Sequence, residues 1–342
     1  MNELRDSGVD PLIIDAGDLF FSTANLNSKN KTSELYRAGA ILEGYNRVGC
    51  DAINVGHYEM LNGLSFLKSM EENTEIPFLS ANLRDSQTNE LLFEPFLIIE
   101  KESLKIGIVG VTDKLPDTTK SMIADNYIEA GNHYIDEASK QADIIVIMVN
   151  SNRKTYSELP TLFANADIIV TSGSTNMTRE NTAQKEGGPF LYSCGKQGKY
   201  MSVLSVEMED TKAPIVDISS HEKNISSIRK RFERLQKKDP NKSLDDLYAG
   251  QANVLKIIEQ NRNKLIESET AIKSAQNTLT FETIALNKKI QDNPELLAFV
   301  DESLATCSSL KPKSANKRPK SKSNKKGKQI SKQKQNHIGH DH

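Results

Sequence analysis

From Asp10 to Asp217 the chain alternates short apolar, β-branched runs with polar turns and with stretches of helical periodicity. The runs are Leu12-Ile13-Ile14, Ala52-Ile53-Asn54-Val55, Pro77-Phe78-Leu79, Lys105 to Val109, Ile144 to Val149, Ile168-Ile169-Val170 and Met201 to Met208. Short continuous runs of this kind read as strands buried on both faces, the pattern of an α/β sheet. Leu35, Ala38, Ile41, Leu42 and Tyr45 recur at steps of three and four, as do Leu64, Leu67 and Met70. Each set predicts an amphipathic helix covering a sheet face. Pro214 to Ser220 adds one more short β-like run before the character of the chain changes, which predicts a boundary near residue 220.

Between His221 and Ser309 the only glycine is Gly250, and Pro240 and Pro294 divide the segment into a short, a long and another short helix. Ser243-Leu-Asp-Asp246 has the form of a helix start, with Ser243 accepting a backbone N–H. Leu244, Ile258, Leu265, Ile272, Leu279 and Leu286 then share one heptad register, broken at Gln251. That spacing predicts a coiled-coil stripe over 244–286, able to mediate self-association or to pack on the α/β domain. The expected organisation is an α/β domain over 1–220, a helical extension over 221–310 and a disordered Lys-rich tail over 311–342.

The formal net charge of −2 over 342 residues conceals a segregation. Residues 311–342 hold eleven Lys/Arg and one Asp, so the body is about −12 and the tail about +10. The tail has too little apolar surface to offset the entropy of ordering and reads as solvated chain, so no nucleic-acid partner is expected of it. His337, His340 and His342 lie close together there, without a fold to arrange them around a metal. No apolar run approaches the 18 to 20 residues of a membrane span. The N-terminal Met-Asn-Glu-Leu-Arg-Asp-Ser-Gly has no signal-peptide character and by itself reads as cytoplasmic. Cys50, Cys194 and Cys307 are widely spaced and form neither a zinc pattern nor a disulfide framework.

Two motifs deliver polar groups just beyond buried strands: Asp15-Ala-Gly17-Asp18-Leu-Phe, and Cys50-Asp51 followed by Val55-Gly56-His57-Tyr58-Glu59. The carboxyl ends of strands are where open α/β sheets place their ligands. Ser172-Gly-Ser-Thr175 and Gly187-Gly188 are followed by no Gly-Lys-Ser/Thr, so they read as loops, not as a phosphate loop. Ser193-Cys194 with His133 or His221 has no third orienting group and reads as buried Cys and surface His.

Taken in order, these segments resemble the N-terminal catalytic domain of the 5'-nucleotidase and UDP-sugar hydrolase family of calcineurin-like metallophosphoesterases. Asp15-Ala-Gly-Asp18, Gly49-Cys-Asp-Ala with Val55 to Glu59, and Pro77-Phe-Leu-Ser-Ala-Asn82 carry the resemblance. So do Lys105 to Thr112, Ala142-Asp143-Ile-Ile-Val, Ala166-Asp167-Ile-Ile-Val and Gly195-Lys-Gln-Gly198-Lys-Tyr200. The likeness covers about residues 1–220. It implies an α/β fold, a metallo-dependent phosphatase-like β-sandwich flanked by helices and lacking the family's first strand, with the helical extension following it.

The resemblance also implies two divalent metals, Mn or Zn or similar, between two sheets, and a small phosphorylated substrate such as a nucleotide. The family's motifs are altered here. Asp18 stands at the bridging-ligand position, His57 at that of an Asn ligand, and Asn150 where a His is expected. Tyr58 stands at the catalytic His, beside a retained Glu59, and Ser172-Gly-Ser-Thr175 replaces a Gly-His-x-His. The family's Asp-x-His strand is not found, which a start upstream of Met1 would also explain. Expected site residues are therefore Asp18, His57 and Asn150 as metal ligands, with Tyr58 and Glu59 as the catalytic pair. Two functions follow: impaired or altered phosphoester hydrolysis of nucleotides or sugar nucleotides, or a pseudoenzyme serving as a ligand-binding or coiled-coil interaction module. The family expectation of periplasm or cell envelope opposes the cytoplasmic reading of the N-terminus.

Overall fold

The computed structural model describes residues 2–311, apart from 118, 181, 183, 186, 196 and 197. The tail beyond residue 311 and its three histidines lie outside the described residues. In chain order the elements begin with α1 (Asn2–Asp6), β1 (Ile14–Asp15), α2 (Lys31–Val48), β2 (Ala52–Asn54), α3 (Leu64–Glu72), β3 (Phe78–Leu79) and β4 (Leu83–Asp85). β5 (Phe96–Lys101), β6 (Leu104–Thr112), β7 (Met122–Ala124), α4 (Tyr127–Ala138), β8 (Ile144–Asn150), α5 (Leu159–Leu162) and β9 (Ile168–Ser172) follow. The last are β10 (Phe190–Ser193), β11 (Tyr200–Met208), β12 (Ile215–Asp217), α6 (Ser219–Gln236), α7 (Leu244–Leu247), α8 (Ala252–Ser274), β13 (Asn277–Ala285) and α9 (Pro294–Ser309).

Alternation along the central strands builds a sandwich. The largest sheet runs β10-β9-β8-β6-β5, parallel except for the antiparallel edge strand β5. On β8 the odd residues Ile145, Ile147 and Val149 pack under α4 and α5 with Ile135, Leu159 and Phe163. The even residues face two smaller sheets. Met148 and Ile108 meet the parallel sheet β1-β2-β3 through Ala16, Ala52 and Leu79. Ile144, Val146, Ile168 and Tyr192 meet the sheet β11-β13-β12 through Ile215, Leu279 and Phe281. Because side chains alternate, a strand covered on both faces needs apolar residues at every position. The outer face of β1-β2-β3 is closed by α2 and α3 through Leu42, Leu67 and Met70.

The region after residue 220 departs from the helical-extension expectation. α8 ends at Ser274, and Leu279 of the supposed heptad stripe lies in β13, fully buried between β11 and β12. α8 packs against α6, and Ile258 on α8 and Ile228 on α6 are their buried apolar residues. The two helices form an antiparallel hairpin, with Arg229 paired to Glu269 at 2.7 Å. Part of the seam is thus filled from within the chain, and the stripe positions Leu279 and Leu286 fall beyond the end of α8. Ser243 does cap a helix, accepting the Asp246 N–H, but α7 is only four residues long. α9 returns to α2, where the Ser33 hydroxyl donates to the Cys307 carbonyl at 2.8 Å and Arg47 lies 4.0 Å over the Phe299 ring. The described residues up to Lys311 form one compact unit.

Candidate functional site

Three strands of the central sheet end in a polar row. Thr112, Asn150 and Ser172 are register partners on β6, β8 and β9, on the face turned toward the smaller sheets. Opposite them lie the loops after β1 and β2, which carry Asp18 and His57. The loop after β1 needs glycine at position 17, where φ is +97° and a Cβ would come within 2.8 Å of the Asn54 carbonyl oxygen. Gly56 has a different reason: a Cβ there would lie 2.8 Å from the Asn150 amide nitrogen and 2.9 Å from Glu59 Oε2. The two loops and the polar row therefore meet in van der Waals contact.

Asn150 is the centre of this junction and is almost fully buried. Its Oδ1 accepts the His57 N–H at 3.0 Å and the Thr112 hydroxyl at 3.2 Å. Its Nδ2 donates to Ser172 Oγ at 2.7 Å, and that hydroxyl donates to the Ala16 carbonyl at 2.6 Å. Nearby, Asn54 Nδ2 donates to the carbonyls of Ala16 and Val111. Amides and hydroxyls thus tie β1 to β6, β8 and β9 across the sandwich.

Glu59 is fully buried, and its carboxylate accepts four backbone N–H groups: Asp18 at 2.8 Å, Leu19 at 2.6 Å, Phe20 at 3.2 Å and Gly56 at 2.9 Å. It latches one loop onto the other. Burial, and the charge of Asp18 beside it, push its pKa up to about 7 against the pull of the N–H donors. Asp18, itself at a left-handed φ of 66°, accepts the Tyr58 N–H at 3.0 Å. Burial raises its pKa, while that N–H, the Asn150 amide and His57 favour its charge. Behind it, burial also raises Asp15, which takes the Tyr45 hydroxyl at 2.6 Å and the Gly17 N–H at 2.8 Å.

Asp18, His57, Asn150, Tyr58 and Glu59 are therefore neighbours, but their roles separate. Asp18 and His57 keep donor capacity: the buried His57 Nδ1 has no hydrogen-bond partner among the described residues. Asn150 has its oxygen engaged twice. The Glu59 carboxylate is occupied by four N–H groups and is not free to act on a substrate. Tyr58 leans on the apolar cluster beneath α2 and α3, its ring centroid 5.9 Å from that of His57. A two-metal centre needs several unoccupied anionic or imidazole donors around a common point. Among the described residues no three His, Cys, Asp or Glu side chains form such a group. Sequence reasoning placed Ser172 at a site position but missed Thr112 and Asn54 as members of the junction; the only signal was a polar residue at the end of one buried apolar run, for Thr112, and inside another, for Asn54.

No family model matches the sequence. Among curated proteins, the chain is 31% identical over 142 residues to protein UshA of Salmonella pullorum, covering 40% of this chain and 24% of the relative. It is 35% identical over 102 residues to a 5'-nucleotidase of Vibrio cholerae, covering 30% of this chain and 18% of the relative. The match spans no more than about a quarter of the length of these curated relatives. Among solved structures, the calcineurin-like phosphoesterase YfkN of Bacillus subtilis superposes with a TM-score of 0.57 at 14% identity, over 91% of this chain and 88% of that one. The Thermus thermophilus sulfate thiohydrolase SoxB gives 0.51 at 17% identity, over 60% and 38%. The fold is that of the calcineurin-like metallophosphoesterases. Its sequence relatives include UshA proteins and 5'-nucleotidases, matched over less than half of this chain.

Proposed function

We propose that this chain is a divergent 5'-nucleotidase-type domain in which a hydrogen-bonded junction stands where the two-metal centre would be. Ordinary hydrolysis of nucleotides or sugar nucleotides is impaired, and the cleft has become a structural or ligand-binding site. One observation carries the reading: Asn150 and Glu59 are engaged by backbone and hydroxyl groups of this chain, so neither is free to take an ion. Removing them from these partners would leave buried donors unpaired, at about 1–3 kcal/mol each. A second reading rests on the unpartnered His57 Nδ1 close to Asp18. In it these two residues hold a single divalent cation such as Mn or Zn, which would supply Lewis acidity for residual phosphoester hydrolysis.

The test is metal content of the purified chain by mass spectrometry, Mn²⁺-induced thermal shift, and phosphate release from 5'-AMP and UDP-glucose, for wild type and Asp18→Asn. Substoichiometric metal, no shift and no release above buffer are expected. Stoichiometric metal lost in the variant, with metal-dependent release, overturns the first reading in favour of the second. We place the protein in the periplasm or cell envelope on its likeness to 5'-nucleotidases, which cell fractionation tests.

A further inference from the structure

We propose that Gln184 and Thr178 block the outer edge of β10 and thereby keep it from pairing with a second copy of this chain. Among the described residues β10 ends the five-stranded sheet, joined on one side to β9 with Phe190 beside Ile168 and Ser193 beside Thr171. Along a parallel strand alternate residues turn their backbone groups to opposite neighbours, and Phe190 donates its N–H toward β9, to the Asp167 carbonyl at 2.9 Å. Leu191 and Ser193 therefore turn theirs outward, and each N–H and C=O there needs a partner.

All four outward groups are taken by two residues of the loop between β9 and β10. The Leu191 N–H donates to Gln184 Oε1 at 3.0 Å, and Gln184 Nε2 donates to the Leu191 carbonyl at 3.1 Å. One side-chain amide thus imitates a residue of a neighbouring strand. The Ser193 N–H donates to Thr178 Oγ1 at 3.0 Å, and the Ser193 carbonyl accepts the Thr178 N–H at 2.9 Å. Glu180 holds the same loop against the rest of the fold, accepting the Thr283 N–H of β13 at 3.2 Å and pairing with Lys223 of α6 at 2.8 Å.

The edge needs this cover because its own sequence offers no defence. Pro189-Phe-Leu-Tyr-Ser-Cys-Gly195 contains no charged residue. Sheet edges are ordinarily protected by charge, and an uncharged, apolar and aromatic strand is the kind that pairs with another chain. By contrast β5, at the opposite edge of the same sheet, carries Glu100 and Lys101, and β11, at the edge of its own sheet, carries Glu207. The occupant follows from where the outward groups lie. Because Leu191 and Ser193 are two residues apart, two β10 edges meeting antiparallel about a two-fold axis set Leu191 against the partner's Ser193, and Ser193 against the partner's Leu191. Those bonds satisfy every group that Gln184 and Thr178 now satisfy, so a second copy supplies the complement with no other sequence required. The inference does not depend on the cleft being active or inactive.

The experiment is sedimentation velocity of the full chain from about 1 to about 100 µM, with hydrogen exchange of the Leu191 amide at both ends of that range. Wild type is compared with the double variant Gln184→Ala, Thr178→Ala and with Gln184→Glu, Thr178→Ala, which also loses the bond to the Leu191 carbonyl but leaves a negative charge on the edge. Wild type is expected to keep one mass and one exchange rate throughout. The Ala double variant should rise toward about twice the wild-type mass, and its Leu191 amide should exchange at least about tenfold more slowly at the high concentration than at the low one. The Glu double variant should keep the wild-type mass, because charge on an edge opposes pairing. No rise for the Ala variant, a rise that leaves Leu191 exchange unchanged, an equal rise for the Glu variant, or a wild type that itself associates with slowing of this amide overturns the proposal. Should the Ala double variant unfold by circular dichroism, Gln184→Ala alone is expected to show the rise in mass and the slowing at Leu191, and their absence overturns the proposal equally.

Discussion

Glu59 combines two demands that pull in opposite directions. Four backbone N–H groups need its oxygens, while burial beside Asp18 disfavours its charge. Glu59→Ala leaves all four donors without their acceptor and should cost at least about 4 kcal/mol in a urea titration. The pH dependence has a definite sign. The pKa rises from 4.5 in the unfolded chain to about 7 in the folded one. Stability from this group is then full below about 4.5 and is lost as pH rises toward 7, and Glu59→Gln should flatten that slope. A wild-type stability that climbs across this window would contradict the assignment. The family resemblance grouped Asp18, His57, Tyr58, Glu59 and Asn150, and the fold makes them neighbours. It did not reveal that Glu59 is occupied by N–H groups, since those donors belong to the backbone, which carries no residue identity. The Cys50 thiol, pushed up to about 12 by burial, should resist iodoacetamide at pH 8 while the exposed Cys194 reacts, as peptide mapping would record.

At the level of elements, β13 decides more than any helix. It is the middle strand of β11-β13-β12, and Leu279 on it is fully buried against Ile215, Tyr192 and the central sheet. Leu279→Ala should cost about 3 kcal/mol, read from urea unfolding. A chain ended at residue 220 should fail to fold, because β11 and β12 lose the neighbour that joins them; a soluble, cooperatively melting 1–220 fragment would restore the boundary drawn from the sequence. The heptad reading erred here for a physical reason. Thr278, Thr280, Phe281, Thr283 and Ile284 are β-branched or aromatic residues in a strand of period two. The spacing of Ile272, Leu279 and Leu286 matches a period of seven as well, and only neighbouring strands choose between the two. The α6–α8 hairpin was legible as helix, while its partner was not, since a seam does not say what fills it.

For the whole molecule, the return of α9 to α2 and the insertion of β13 bring the last third of the described chain into the same unit as the first. Residues 2–311 should therefore unfold in one calorimetric transition, with van't Hoff and calorimetric enthalpies equal; two resolved transitions would show that the C-terminal elements melt separately. Among the described residues no helix is long and apolar enough to cross a membrane. The sequence by itself determined the central sheet and its helices, because a strand covered on both faces must be apolar throughout, and Ile144 to Val149 states that in six residues. It also brought out, through the family resemblance, the strand-end residues Asp18, His57 and Asn150 that the fold makes neighbours. Only the tertiary structure decided how these residues are engaged and where β13 pairs. Hydrogen-bond occupancy at Asn150 and Glu59, and the pairing of β13 between two distant strands, arise from groups far apart in the chain, and local pattern carries no record of them.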